Sequence, residues 1–233
     1  SSGFRAAPSC PRTTPSREGR PCVTSSHGTS RARGTWPRVT RERPAESASR
    51  KRITRLDTEN LDRQVVAPAD LVILDHPGRL SGESVGLLAS LLKRGKGMLV
   101  FASDNADAVN LKLLLESAGA GIKLPVEFQP PSPGQDRRNL LLTAKRRESG
   151  PFSVFGDNLT ALVSPLRFSG ALTSKKITGG LEDDVMATYA DGTAFLVVAG
   201  SEESSLAIVN ADLEHSNLPA SPMFVPLMGE LTR

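Results

Sequence analysis

Residues 69–104 read ADLVILDHPGRLSGESVGLLASLLKRGKGMLVFASD. Two short, wholly apolar runs, Leu71-Val72-Ile73-Leu74 and Met98-Leu99-Val100-Phe101, flank a segment of helical spacing at 81–94. Solid apolar runs suit strands buried on both faces, and strand–helix–strand suits a βαβ unit with parallel strands. The local chemistry agrees. Pro77-Gly78 marks a turn, and Ser81 is placed to cap a helix whose first turn carries Glu83, where the dipole favours an anion. Val85, Leu88 and Leu92 repeat on one helical face, with Leu87 and Leu91 beside them. Lys93 and Arg94 fall in the last turn, and Gly95 and Gly97 stop the helix.

Outward from this unit, 106–118 reads as a second helix after the turn Ser103-Asp104-Asn105, with Gly119 and Gly121 as its stop. A lead-in strand is expected at 64–66. Residues 123–138 read as loop, with a short strand at 126–128, and further strands are expected at 139–144 and 166–172, with a short helix near 156–162. Residues 185–189, 194–198 and 206–210 read as three strands. Ala190-Asp191-Gly192-Thr193 joins the first two as a hairpin-type turn, and Glu202-Glu203-Ser204 joins the next pair. A final helix at 223–233 would place Phe224, Leu227, Met228 and Leu231 on one face against the sheet. The pattern predicts an α/β three-layer sandwich with a mostly parallel sheet and antiparallel strands near the C-terminus.

Charge divides the chain. Ser1–Arg52 carries 11 Arg, 1 Lys and 3 Glu, a net of +9, whereas Ile53–Arg233 is −5. The basic pI therefore belongs to the tail and gives no reason to expect nucleic acid on the domain. Residues 1–52 are rich in Arg, Ser, Thr, Pro and Gly and poor in aliphatic side chains, a composition that predicts disorder. A nucleic-acid arm, a transit peptide and a tether to acidic membranes all share that composition. The excess of Arg over Lys also fits out-of-frame translation of GC-rich DNA, and a non-functional or misassigned tail is the favoured reading. Cys10 and Cys22 both lie in it, so residues 53–233 have no cysteine for a disulfide, a metal or a nucleophile. No run of about 18 apolar residues is present, so no membrane-spanning helix is expected within the sequence.

Chemistry in α/β sheets gathers at the carboxyl ends of parallel strands, which points to Asp75-His76 and Ser103-Asp104. Ser103 stands where a nucleophile elbow would, but Phe101-Ala102-Ser103-Asp104-Asn105 lacks the small residues such an elbow needs. An ordinary helix-capping turn is the favoured reading, and His76 before Pro-Gly reads as a turn residue. Ser103 and His76 remain the candidate catalytic pair, without the spacing of a Ser-His-Asp triad. Asp212-x-Glu214-His215 is too short and isolated for a metal site. Glu182-Asp183-Asp184 reads as a solvated turn, and Gly95-Lys96-Gly97 lacks the spacing of a phosphate loop. No catalytic residue, cofactor or metal is therefore assigned.

The unit 71–101 resembles the opening βαβ of class I glutamine amidotransferase-like domains. The closing stretch 210–228, NADLEHSNLPASPMFVPLM, with ATYADGTAFL at 187–196, is similar to the end of such domains in bacterial membrane proteins of the Bat aerotolerance type. The resemblance implies a flavodoxin- or Rossmann-like fold. It also implies a parent protein with a hydrophobic anchor region and a von Willebrand factor A-like domain before this one, and a transmembrane helix after it. On that basis residues 53–233 are expected to be a domain of a fragment, truncated at the C-terminus and attached to the membrane through segments outside this chain, with protein partners. True amidotransferases carry a cysteine nucleophile and a downstream His-x-Glu. Here the Ala102-Ser103 region stands nearest the cysteine position, and His-x-Glu is absent, so that chemistry is not implied. The leading expectation is a non-catalytic interaction or scaffold domain, and the alternative is an ester or amide hydrolase using Ser103 and His76.

Overall fold

The structure is a computed structural model that describes residues 53–57, 61–119, 121–135, 137–144, 149–177, 181–200 and 205–233. The tail with its cysteines and the turn at 202–204 lie outside the described residues. Ile53–Arg233 forms one compact unit by its own internal contacts.

The opening unit forms as its sequence dictates. Strand β1 (Leu71–Asp75) runs parallel to β2 (Gly97–Phe101), with Leu71 opposite Gly97 and Asp75 opposite Phe101. Between them lies helix α2 (Gly82–Lys93), capped by the Ser81 side chain, which accepts from the Ser84 N–H. It ends at Gly95, whose φ of 81° a residue with a Cβ would resist. Helix α3 (Asn105–Ala118) follows β2, with a capping box between Asp104 and Asp107.

From here the structure departs from the expected sandwich. The main sheet has the order β1-β2-β8-β7-β6-β4, where β4 is Leu142–Ala144, β6 Val185–Tyr189, β7 Ala194–Gly200 and β8 Ser205–Val209. Only β1–β2 and β2–β8 are parallel. The pairs β4–β6, β6–β7 and β7–β8 are antiparallel. A separate antiparallel pair joins β3 (Val126–Gln129) to β5 (Thr173–Lys176). The sheet is therefore mixed and mostly antiparallel, which overturns the mostly parallel, flavodoxin- or Rossmann-like three-layer sandwich. The cause is connection length. A parallel return needs a crossover of a dozen or more residues, and residues 190–193 between β6 and β7 allow only a hairpin. Gly192 takes φ 85° in that turn, and the Asp191 carboxylate accepts from the Thr193 N–H.

Two apolar cores lie on the two faces of the main sheet. Side chains alternate along a strand, so Met98 and Val100 join α2 and α3 in one core, while Leu99 and Phe101 enter the other. The second core is closed not by crossover helices but by a 3-10 segment (Ser153–Asn158), α4 (Leu159–Val163) and α5 (Phe224–Leu231). Its centre is the aromatic group Phe168, Tyr189 and Phe195, with ring centroids 5.1–5.6 Å apart. Leu227 of α5 is buried, and Phe224, Met228 and Leu231 pack beside it as their spacing predicts.

Smaller expectations also change. Residues 64–66 belong to a helical turn, α1 (Arg63–Val66), because Asp62 caps it. Residues 166–172 form no strand. Phe168 makes isolated bridges to Leu140 and Ser216, and positive φ at Gly170 and Ala171 breaks the extension before β5. The helix expected near 156–162 is interrupted: the 3-10 segment spans Ser153–Asn158 with a non-helical Gly156 inside it, and α4 begins only at Leu159.

Candidate functional site

The carboxyl ends of β1 and β2 bring His76 and Ser103 together. Ser103 Oγ lies 3.4 Å from His76 Nδ1. A third residue organises the place: Asp107, on the first turn of α3 and almost fully buried. Its Oδ2 lies 2.8 Å from His76 Nδ1 and accepts from the N–H of Ser103 at 3.0 Å and of Asp104 at 3.3 Å. His76 itself sits in left-handed backbone at φ 43°, a conformation that surrounding structure must hold in a residue with a Cβ.

The geometry decides what this group can do. A Ser-His-Asp relay uses both ring nitrogens, one toward the hydroxyl and one toward the carboxylate. Here Nδ1 faces both Ser103 Oγ and Asp107 Oδ2. Nε2 is buried without a hydrogen-bond partner and lies 3.9 Å from Asp75 Oδ1. The cavity against Asp107, lined also by Leu74, Pro77, Leu80, Val100 and Asn110, is about 10 Å³. That is room for about one water, where small-molecule sites need roughly 300 Å³ or more. A groove of about 700 Å³ lies elsewhere, between α1 and α2, lined by Arg63, Ser81, Glu83, Ser84 and Arg94 among others.

Burial pulls the His76 pKa down, but the Asp107 hydrogen bond and the charges of Asp107, Asp75 and Asp212 outweigh it, and the net direction is up. Burial likewise raises Asp107 above the usual carboxylate value, against the Ser103 and His76 bonds that lower it.

The other sequence candidates are dispersed. His215 Nδ1 pairs with Asp212 Oδ2 at 2.7 Å in an exposed loop, and the Glu214 N–H also bonds Asp212. Lys96 pairs with Asp70 at 3.1 Å as β2 begins. Residues 182–184 form a 3-10 turn leading into β6. Among the described residues no group of three or more His, Cys, Asp or Glu is placed to hold a metal. Asp107 and Asn110 were not singled out from the sequence. The Asp104-x-x-Asp107 spacing is the signal that could have found the first.

No family model matches the chain, and no curated protein matches it. Among solved structures, it is similar to the cytoplasmic protein STM3548 from Salmonella typhimurium, at 16% identity over 73% of this chain and 74% of that one, TM-score 0.49. It is also similar to the mmIFT52 N-terminal domain, at 14% identity over 72% and 78%, TM-score 0.49. A third likeness is the exo-beta-1,4-mannosidase Op5Man5 from Opitutaceae bacterium strain TAV5, at 12% identity over 68% and 22%, TM-score 0.38. No residue role follows from these likenesses.

Proposed function

We propose that residues 53–233 are a non-catalytic protein-interaction or scaffold domain of a membrane-anchored bacterial protein of the aerotolerance-regulator type. The observation that carries the non-catalytic part is the single nitrogen, His76 Nδ1, shared between Ser103 and Asp107. An imidazole so placed cannot take a proton from the serine through one nitrogen while the carboxylate orients it through the other. Support for the parent protein is the resemblance of residues 187–196 and 210–228. Among the described residues no helix is long and apolar enough to cross a membrane, so the anchor of this reading is supplied by other parts of the parent.

The 3.4 Å approach of Ser103 to His76 favours the second reading, a hydrolase of small esters or amides. One experiment separates them. Purified wild type and Ser103→Ala are assayed for glutaminase activity and for hydrolysis of small chromogenic esters and amides. Equal background rates in both proteins support the interaction domain. Turnover that Ser103→Ala abolishes overturns it in favour of the hydrolase.

A further inference from the structure

The connection from β1 to α2 is fastened to α3 at two points. Near α2, the Asn110 side chain accepts from the Leu80 N–H at 3.0 Å and donates to the Gly78 carbonyl. Near β1, His76 meets Asp107. Asp107 and Asn110 are three residues apart and share a face of α3. The two fastenings differ in kind. The amide has no proton to lose within the working range of pH. The imidazole does, and carboxylates surround it: Asp75 from β1, Asp107 from α3, and Asp212 from the segment after β8. Asp104, at the cap of α3, adds its charge at Asp107. Of these, Asp212 has its own partner in His215.

We propose that the His76–Asp107 contact is a proton-operated latch. With His76 protonated, it holds the β1 end of the connection against the first turn of α3. With His76 neutral, that end loosens while the Asn110 end stays fastened. The Asp107 side chain is 1% exposed, so loss of its cationic partner leaves a buried carboxylate beside the charge of Asp104, which is costly. The left-handed backbone of His76 then loses part of what holds it. The Ser103 and Asp104 N–H groups bond the same Oδ2 and report on its position. The net upward pKa direction of His76 sets the release above its ordinary value of 6.5.

The test uses the full chain and follows two signals by NMR from about pH 5 to about pH 9, a range that brackets histidine titration. One is the His76 imidazole titration. The other is amide exchange at Ser103, Asp104 and Leu80, corrected for intrinsic rates. The latch predicts a several-fold fall in protection at Ser103 and Asp104 with the same midpoint as His76, and none at Leu80. His76→Gln should flatten that profile, and His215→Gln should preserve it. Unchanged protection across the His76 midpoint overturns the proposal, as does loss at Leu80 in step, which would mean general loosening. Where His76→Gln fails to fold, the coincidence or separation of midpoints in the wild type still decides.

Discussion

The Tyr189 hydroxyl donates to the main-chain carbonyl of Asn210, reaching past β7 to tie β6 to the end of β8. Burial pushes the phenol pKa up, so it remains a donor at any working pH. The Asn210 side chain is itself fully buried and makes three more bonds. It accepts from the Leu172 N–H at 2.7 Å and donates to the carbonyls of Leu172 and Ala194 at 2.9 and 2.8 Å. It thus binds the irregular segment before β5 to the main sheet.

Asn210→Ala should therefore cost about 3 kcal/mol, since it strands one buried donor and two buried carbonyls, whereas Tyr189→Phe should cost about 1 kcal/mol for a single bond. Urea denaturation of the two variants checks the order. An Asn210→Ala loss no larger than that of Tyr189→Phe would show that the amide is not the fastening it looks like.

Arg137 is a second fastening, made to the turn of the hairpin. Its Nη1 lies 3.0 Å from Asp191 Oδ2, its Nη2 donates to Thr193 Oγ1 at 2.8 Å, and its carbonyl accepts from Gly170. Arg137→Ala should lower stability by about 2 kcal/mol, the value of charge-assisted bonds to a partly exposed partner. Arg137→Lys should recover only part of it, because an ammonium cannot hold both partners in the guanidinium's fork. Full recovery in thermal melts would reduce the interaction to charge alone.

The opening unit was legible in the sequence because its signals are local. Ser81, Glu83, Lys93 and Gly95 each act on their own turn, and the flanking apolar runs need no distant partner to be recognised. Sheet order was not legible. The turn 190–193 announces an antiparallel hairpin, but nothing in 205–209 says that β8 lies parallel to β2 and completes a mixed sheet. The site shows the same division. His76 and Ser103 were found as strand-end residues. Asp107, which defines their geometry, lies 31 residues from His76 in the chain. Its only local trace is a helix-capping pattern that looks purely structural. Positive φ at Ala171 is likewise invisible, because alanine gives no hint of a left-handed position.

Acid should weaken the fold through two carboxylates. Burial raises the pKa of Asp191 and Asp212, but bonds from Thr193 and Arg137 in the first case, and from His215 and the 214–215 N–H groups in the second, bring both below the usual 3.8. A depressed folded-state pKa contributes stability that is present above 3.8 and is lost as pH falls through the folded-state value. The acid limb of the stability curve should therefore be shallower in Asp191→Asn and in Asp212→Asn, each compared with wild type by chemical denaturation. Unchanged limbs would mean that neither carboxylate is bonded in solution as it is here.

At neutral pH the sign reverses, and His76 carries the effect. Its folded-state pKa is raised, so its contribution is complete below 6.5 and disappears as pH rises through the folded-state value. Replacing Asp107 tests the cause. In Asp107→Asn the burial of His76 persists, while the charge of Asp107 and the charged form of its hydrogen bond are gone. Burial is the largest single influence on His76 and acts downward. The imidazole should therefore titrate lower in Asp107→Asn than in wild type, and the fall in stability over the same window should move with it. The amide oxygen introduced by that substitution can still accept from Ser103 and Asp104, which keeps the first turn of α3 capped. NMR titration of the His76 ring measures the shift directly. A titration unmoved by the substitution would show that the 2.8 Å contact does not set the proton affinity of His76, and the neutral-pH dependence would then have to come from another group.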